Sequence, residues 1–188
     1  MIKRIILFFI LCGISQNILT QNFSVEKSLY GIQTGFLGIW IHNEARLASQ
    51  FALRTEIGFD SGFFGGSVYP SDGYILTPTI KLEPRWYYNL DKRITKGKNI
   101  SKNQGNFISI QSSYNPNWFV ISNFKDIEVA NQVSIIPTWG IRRFIGKNFT
   151  YETGFGIGFK HLFLKELGFM KNETEVALNL HLRIGYQF

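Results

Sequence analysis

From Glu175 to Phe188 apolar and polar residues alternate almost without exception. Val176, Leu178, Leu180, Leu182, Ile184, Tyr186 and Phe188 share one phase, and Ala177, Asn179, His181, Arg183, Gly185 and Gln187 the other. Successive side chains of a strand point to opposite faces, so this segment predicts a strand with one greasy and one polar surface. The same period recurs upstream. Ser28 to Ile41 carries Tyr30, Ile32, Phe36 and Trp40 in one phase and Gly31, Gln33 and Gly35 in the other, and it reads as one strand. Phe51 to Asp60 places Leu53, Thr55, Ile57 and Phe59 against Arg54, Glu56 and Asp60. Thr77 to Leu90 follows, with Pro84 in its greasy phase, where a lost ladder hydrogen bond predicts a bulge. Asn106 to Tyr114 is the next strand, and Gln132 to Phe144 with Phe149 to His161 forms a hairpin around Ile145 to Asn148.

The connections follow from turn residues and lost periodicity. Asn22 to Lys27 reads as a polar tail and His42 to Gln50 as a short polar link. Ser61 to Gly73, with Pro70, Ser71 and Asp72, reads as a loop. DKRITKGKNISKNQG, from Asp91 to Gly105, reads as a basic, solvated loop that could meet acidic head groups. Asn115 to Asn131 is a long connection, and Leu162 to Thr174 is another with a helical turn at its start. No composition break divides the chain.

Alternation leaves the direction of the greasy face open, since a soluble barrel turns it inward and a membrane barrel outward. The polar phase decides. It contains Arg54, Glu56, Asp60, Lys81, Glu83, Arg85, Glu152, Lys160, His181 and Arg183, interleaved with glycine and serine. Charges of both signs suit a narrow lumen closed by its own ion pairs, whereas the many aromatics of the other phase are too bulky to fill a small interior side by side. Tyr30, Trp40, Trp86, Tyr88 and Tyr186 would then form interfacial girdles. Seven strands are recognisable in the chain. Single-chain barrels of this kind have an even number, so the expectation is eight, with one segment double or one strand hidden in Asn22 to Leu29, Asn117 to Val129 or Leu162 to Lys171.

Composition adds a location. Lys3 and Arg4 precede the short apolar run IILFFILCG, the pattern of a secretory signal, here read as residues 1–21, leaving 22–188 as one barrel domain. The only cysteine, Cys12, falls in that leader, so neither a disulfide nor a Cys metal site is expected in the remainder. Of the net charge of +7, Lys3 and Arg4 in the leader supply two, and the remaining basic residues are spread among strands and one loop, which argues against nucleic acid as a partner.

The leader, the alternating strands, the segment LEPRWYYNLDKR from Leu82 to Arg93 and the ending LHLRIGYQF together resemble the small bacterial outer-membrane β-barrel proteins of OmpA-like or OmpX-like architecture. The resemblance implies an all-β fold, a single antiparallel up-and-down transmembrane β-barrel in the outer membrane of a Gram-negative bacterium. It also implies contact with outer-membrane lipids and lipopolysaccharide, and recognition by the barrel-assembly machinery through the strand ending at Phe188. That architecture hosts many activities. The expected role is non-enzymatic, structural or surface-interacting, through loops carrying Phe63, Phe64, Tyr69, Trp118 and Phe119. The alternatives are a narrow channel for small solutes and a lipid-modifying enzyme. The latter needs a nucleophile, base and orienter within mutual reach, and only His161 and Ser112 suggest themselves, on different strands. His42, His161 and His181 are scattered, so no metal is expected, and no cofactor. Gly154, Gly156 and Gly158 alternate with aromatics and read as strand interior that makes room for large lumen side chains.

Overall fold

The computed structural model describes residues 23–64, 72–125 and 127–188. The leader read at 1–21, with Cys12, lies outside them. Among the described residues nine strands form: β1 (Ser28–Gly35), β2 (Gly38–Ala48), β3 (Phe51–Phe64), β4 (Gly73–Trp86), β5 (Asn106–Asn115), β6 (Ile121–Ser122), β7 (Gln132–Ile145), β8 (Phe149–Leu162) and β9 (Glu173–Gln187). All but β6 pair antiparallel in chain order, and β1 pairs with β9, which closes an eight-strand barrel. β6 adds only a short pairing to Ile75 and Leu76 of β4. The one α-helix among the described residues is α1 (Leu90–Thr95).

The alternation runs apolar outward. Leu182 is 60% exposed on the outer wall while its neighbour Arg183, at 5%, points into the lumen. The same holds around the ring, with Ile57, Leu82, Ile110, Ile135, Phe155 and Ile184 outside and Arg54, Glu83, Gln111, Thr138 and Glu152 inside.

The eighth strand comes from doubling. Ser28 to Ile41 is a hairpin in which Gly35 pairs with Gly38, so that Phe36 and Leu37 alone make the turn. Such a tight reversal inverts the parity of the inward residues. Trp40, expected on the outer girdle, therefore points inward and is buried, while Tyr30, Trp86 and Tyr186 remain outside. The residues read as a polar link from His42 onward continue β2 and put His42 and Glu44 in the lumen. Gly38 has φ +145, and a Cβ there would run into the carbonyl of Phe59, which explains glycine at this corner.

Other expectations need correction. Ser61 to Phe64 continues β3 against Gly73 to Leu76, so the loop read from Ser61 to Gly73 is shorter. Pro84 makes no bulge: the registers toward β3 and β5 are the same on both sides of it, and only the ladder toward β5 is interrupted at Glu83 and Pro84. The tail read before the first strand is tucked against the barrel, with Val25 buried and its N–H bonded to the Ser49 carbonyl. The basic connection is ordered by α1 and a 3-10 turn at Ser101–Asn103. Its lysines Lys92, Lys96 and Lys98 are exposed, but Leu90 and Asn103 are fully buried. The helical turn expected at the start of the last connection is a 3-10 segment, Leu164–Leu167.

The connections 49–50, 87–105 and 146–148 share one end of the barrel with the start of β1 and the end of β9; we call it the terminal end. The turn at Phe36 and Leu37 and the connections 65–72, 116–131 and 163–172 lie at the other, the loop end. This places the basic connection beside the start of β1 and the end of β9.

Candidate functional site: the lumen

Alternation on β8 points Glu152 into the lumen, and register sets Arg142 of β7 and Arg183 of β9 on either side of it. Glu152 is fully enclosed. One oxygen accepts from Arg142 Nε at 2.6 Å, Gln33 Nε2 at 3.0 Å and Arg54 Nη1 at 3.4 Å; the other accepts from Arg85 Nη1 at 3.1 Å and lies 2.8 Å from His181 Nε2. Around this hub, Arg183 Nη1 donates to both oxygens of Glu56 at 2.7 and 3.0 Å, and Arg54 Nε also donates to Glu56. Arg85 Nη2 and Ser109 Oγ donate to Glu83 at 2.8 and 2.6 Å. Glu44 accepts from Arg142 Nη1 and Nη2, from Tyr87 Oη at 2.9 Å and from Asn103 Nδ2.

Glu44, Glu56, Glu83 and Glu152 thus face Arg54, Arg85, Arg142 and Arg183, all of them buried. Signs balance, and nearly every charge is held by charge-assisted hydrogen bonds, the condition under which burial of ions is tolerable. Chemically this is a plug: no carboxylate is left free to act as a base toward a ligand.

The terminal end is sealed by apolar residues beneath the plug. Val25, Ala52, Tyr87, Leu90 and Phe107 pack together. The Arg85 guanidinium lies 4.2 Å over the Phe107 ring, and Tyr87 and Phe107 stand 5.7 Å apart. A Cβ at Gly140 would enter the Phe107 ring, so glycine there lets that ring lie across the lumen. Burial pushes the Tyr87 phenol well above its usual pKa, which keeps it a donor to Glu44.

Toward the loop end the filling thins. Both Lys81 Nζ and the Arg183 guanidinium lie over the Trp40 ring, at 4.7 and 4.1 Å. Asp60 accepts from Lys81 at 2.6 Å, Trp40 Nε1 at 2.8 Å and Asn115 Nδ2 at 3.0 Å. Above this layer lies a cavity of about 320 Å³, which continues into a wider mouth flanked by Leu162, Leu164 and Phe169.

Of the residues expected in the charge network, Arg54, Glu56, Glu83, Arg85, Glu152, His181 and Arg183 meet in the plug, and Asp60 and Lys81 pair just above it. Lys160 does not join them: it pairs with Glu175 at 2.8 Å, half-exposed at the loop end. Sequence reasoning missed Glu44, because its strand was read as a link, and Arg142, whose phase alone separates it from Arg143. Gly154 and Gly158 serve close strand approach, since a Cβ on either would strike the β7 backbone and no large lumen side chain. The expected loop aromatics do not form one surface. Phe63 belongs to β3 and stacks on Phe36 at 5.0 Å, and Phe64 pairs in β3 with Gly73. Phe119 leans on the outer wall at Phe59, whereas Trp118 is 68% exposed. Tyr69 and the side chain of Phe64 lie outside the described residues. Ser112 and His161 stay apart, with β7 between their strands, and His161 Nδ1 instead shares a 2.7 Å hydrogen bond with Thr174 Oγ1. Comparison of the chain with models of protein families, with curated proteins and with solved structures finds no match, so its site is defined by this geometry alone.

Proposed function

We propose that the chain is a non-enzymatic outer-membrane β-barrel of the OmpX-like kind, exported by its leader, with a lumen closed to ions and a structural or surface-interacting role at its loop end. The observation that carries this reading is the inverted distribution of polarity: an apolar wall facing outward around a charge-balanced plug. In water such a wall would expose a contiguous greasy surface far larger than soluble monomers carry. In a bilayer it is the expected surface, and among the described residues the pairing of β1 with β9 closes the ring toward its terminal end. The start of β1, the basic connection and Phe188 then face the periplasm, with Phe188 available to the assembly machinery. The connections 116–131 and 163–172 face outward toward lipopolysaccharide or a surface partner.

The test is the behaviour of the refolded chain. It should require detergent or lipid, migrate differently on gels with and without heating, and give no steady conductance in a planar bilayer. A monomer stable without detergent would overturn the membrane reading. A large steady conductance would overturn the closed lumen.

A further inference from the structure

Among the described residues the wall of the barrel is incomplete near the loop end. β9 pairs with β8 along its whole length, but with β1 only from Arg183 to Gln187, because β1 stops at Gly35. Among the described residues no strand pairs with the other edge of β9 from Glu173 to Leu182. Across the gap, β3 above Asp60 has lost β2 as well, and only the turn reaches it, through the bond from Ser61 N–H to the Leu37 carbonyl at 2.8 Å.

The cavity above Trp40 registers this opening. On β5 it touches Gln111, Ser113 and Asn115, inward residues only, as a closed wall requires. On β9 it touches Val176 through Leu180 in unbroken succession, residues of the inward and the outward phase alike. The cavity therefore passes through the wall beside the β9 edge. Its outer flank is greasy: Phe36, Leu178, Leu180 and Leu182 are all exposed there. Its inner end is polar. Lys81, Lys160 and Arg183 line it, held by Asp60, Glu175 and Glu56 respectively, and Gln111, 4% exposed, has an Nε2 with no hydrogen-bond partner.

We propose that this notch binds a single-chain amphiphile with an anionic head group, the head in the polar cavity and the acyl chain leaving sideways along β9. Unpaired backbone groups of a strand edge are costly in hydrocarbon and tolerated where they border a polar cavity. An anionic head group accepts from such donors, from Gln111 and from the ammonium hydrogens that Lys81 and Lys160 do not give to Asp60 and Glu175. The volume of about 320 Å³ sits at the lower end of ordinary ligand pockets, suited to a head group and not to a whole lipid. The inference rests on the membrane reading above, since the chain needs hydrocarbon to run along.

The test uses the refolded chain in nonionic detergent, checked first for heat-modifiable migration so that a failure of the barrel itself is recognised separately. Native mass spectrometry is run with palmitate, with palmitoyl-lysophosphatidylglycerol and with neutral monopalmitoylglycerol. One equivalent of at least one anionic probe should be retained, about tenfold tighter than the neutral one, as one charge-assisted hydrogen bond allows. Which anionic probe binds tells a carboxylate source from a phosphate source. Ala177→Trp, which fills the cavity, should abolish retention, Lys81→Gln should weaken it severalfold, and Lys98→Gln should leave it unchanged. Equal retention of the neutral probe, no saturable retention, or retention unaffected by Ala177→Trp would overturn the proposal. Hydrogen exchange on the unaltered protein is an independent readout. Amides of Val176 to Leu182 that face away from β8 should exchange fast and be protected by the anionic probe. Protection without any ligand would mean that another strand already covers the edge, and would also overturn it.

Discussion

Glu44 and Arg142 stand 98 positions apart in the chain and meet through two hydrogen bonds, at 2.8 and 3.2 Å, inside the barrel. The pair ties β2 to β7 across the lumen rather than along the wall. Arg142 also donates to Glu152, so one guanidinium bridges the two carboxylates.

Breaking such a pair from one side leaves a buried charge without its partner. Arg142→Ala and Glu152→Ala are each expected to destabilise the barrel by about 3–5 kcal/mol, the range for a half-removed buried ion pair. Lys98→Ala, in the exposed part of the basic connection, should stay within about 0.5 kcal/mol. Reversible urea unfolding in lipid vesicles, followed by gel migration, compares them; equal effects would refute the plug as a stabilising element.

Gly140 and Phe107 form a size-matched pair. Gly140→Val should cost about 1–3 kcal/mol by overpacking against the ring. Because the two sites are in contact, Phe107→Ala should recover part of that loss in the double variant. Additive losses in a double-mutant cycle would show that the Phe107 ring does not depend on the space at Gly140.

Gly38→Ala tests the hairpin that supplies the eighth strand. Its positive φ and the nearby Phe59 carbonyl leave no room for a methyl group, so a loss of about 1–3 kcal/mol is expected. Hydrogen exchange should locate the damage at the turn and the adjoining ends of β1, β2 and β3. Unchanged protection there would contradict the tight turn.

The loop end carries the surface-interaction reading. Replacing Trp118 and Phe119 together by Ser should lower co-sedimentation with lipopolysaccharide vesicles while changing unfolding stability by less than about 1 kcal/mol, as expected of residues outside the core. Unaltered co-sedimentation would remove these aromatics from any partner surface.

Alternation was legible wherever a strand ran uninterrupted, as in β8 and β9, because period two survives any amount of sequence variety. It failed at Phe36 and Leu37, where the chain reverses without proline or a cluster of polar turn residues, and where Trp40 looks like one more member of the greasy phase. That single misreading hid a strand, misplaced Trp40 and concealed Glu44. The ends of β3 and β4 were obscured in the opposite way, since glycines and Pro70 announce a turn earlier than the pairing stops. Arg142 was readable in principle from the inward phase of Thr138 and Gly140. The notch was not: it depends on β1 being shorter than β9, a relation between lengths that no local pattern encodes.

The hub at Glu152 has a consequence for strand register. Its partners come from β1, β3, β4, β7 and β9. A slip of β8 by one residue against its neighbours would turn Glu152 to the outer wall and bring Tyr151 or Thr153 inward, exchanging the two faces of the strand. Three arginines would lose their common acceptor at once, and a carboxylate would stand in the apolar belt. The outer wall, made of aliphatic and aromatic side chains that substitute for one another, discriminates weakly between neighbouring alignments of greasy residues. The interior carboxylate discriminates sharply, so the buried charges act as the code by which eight similar strands find one closed arrangement.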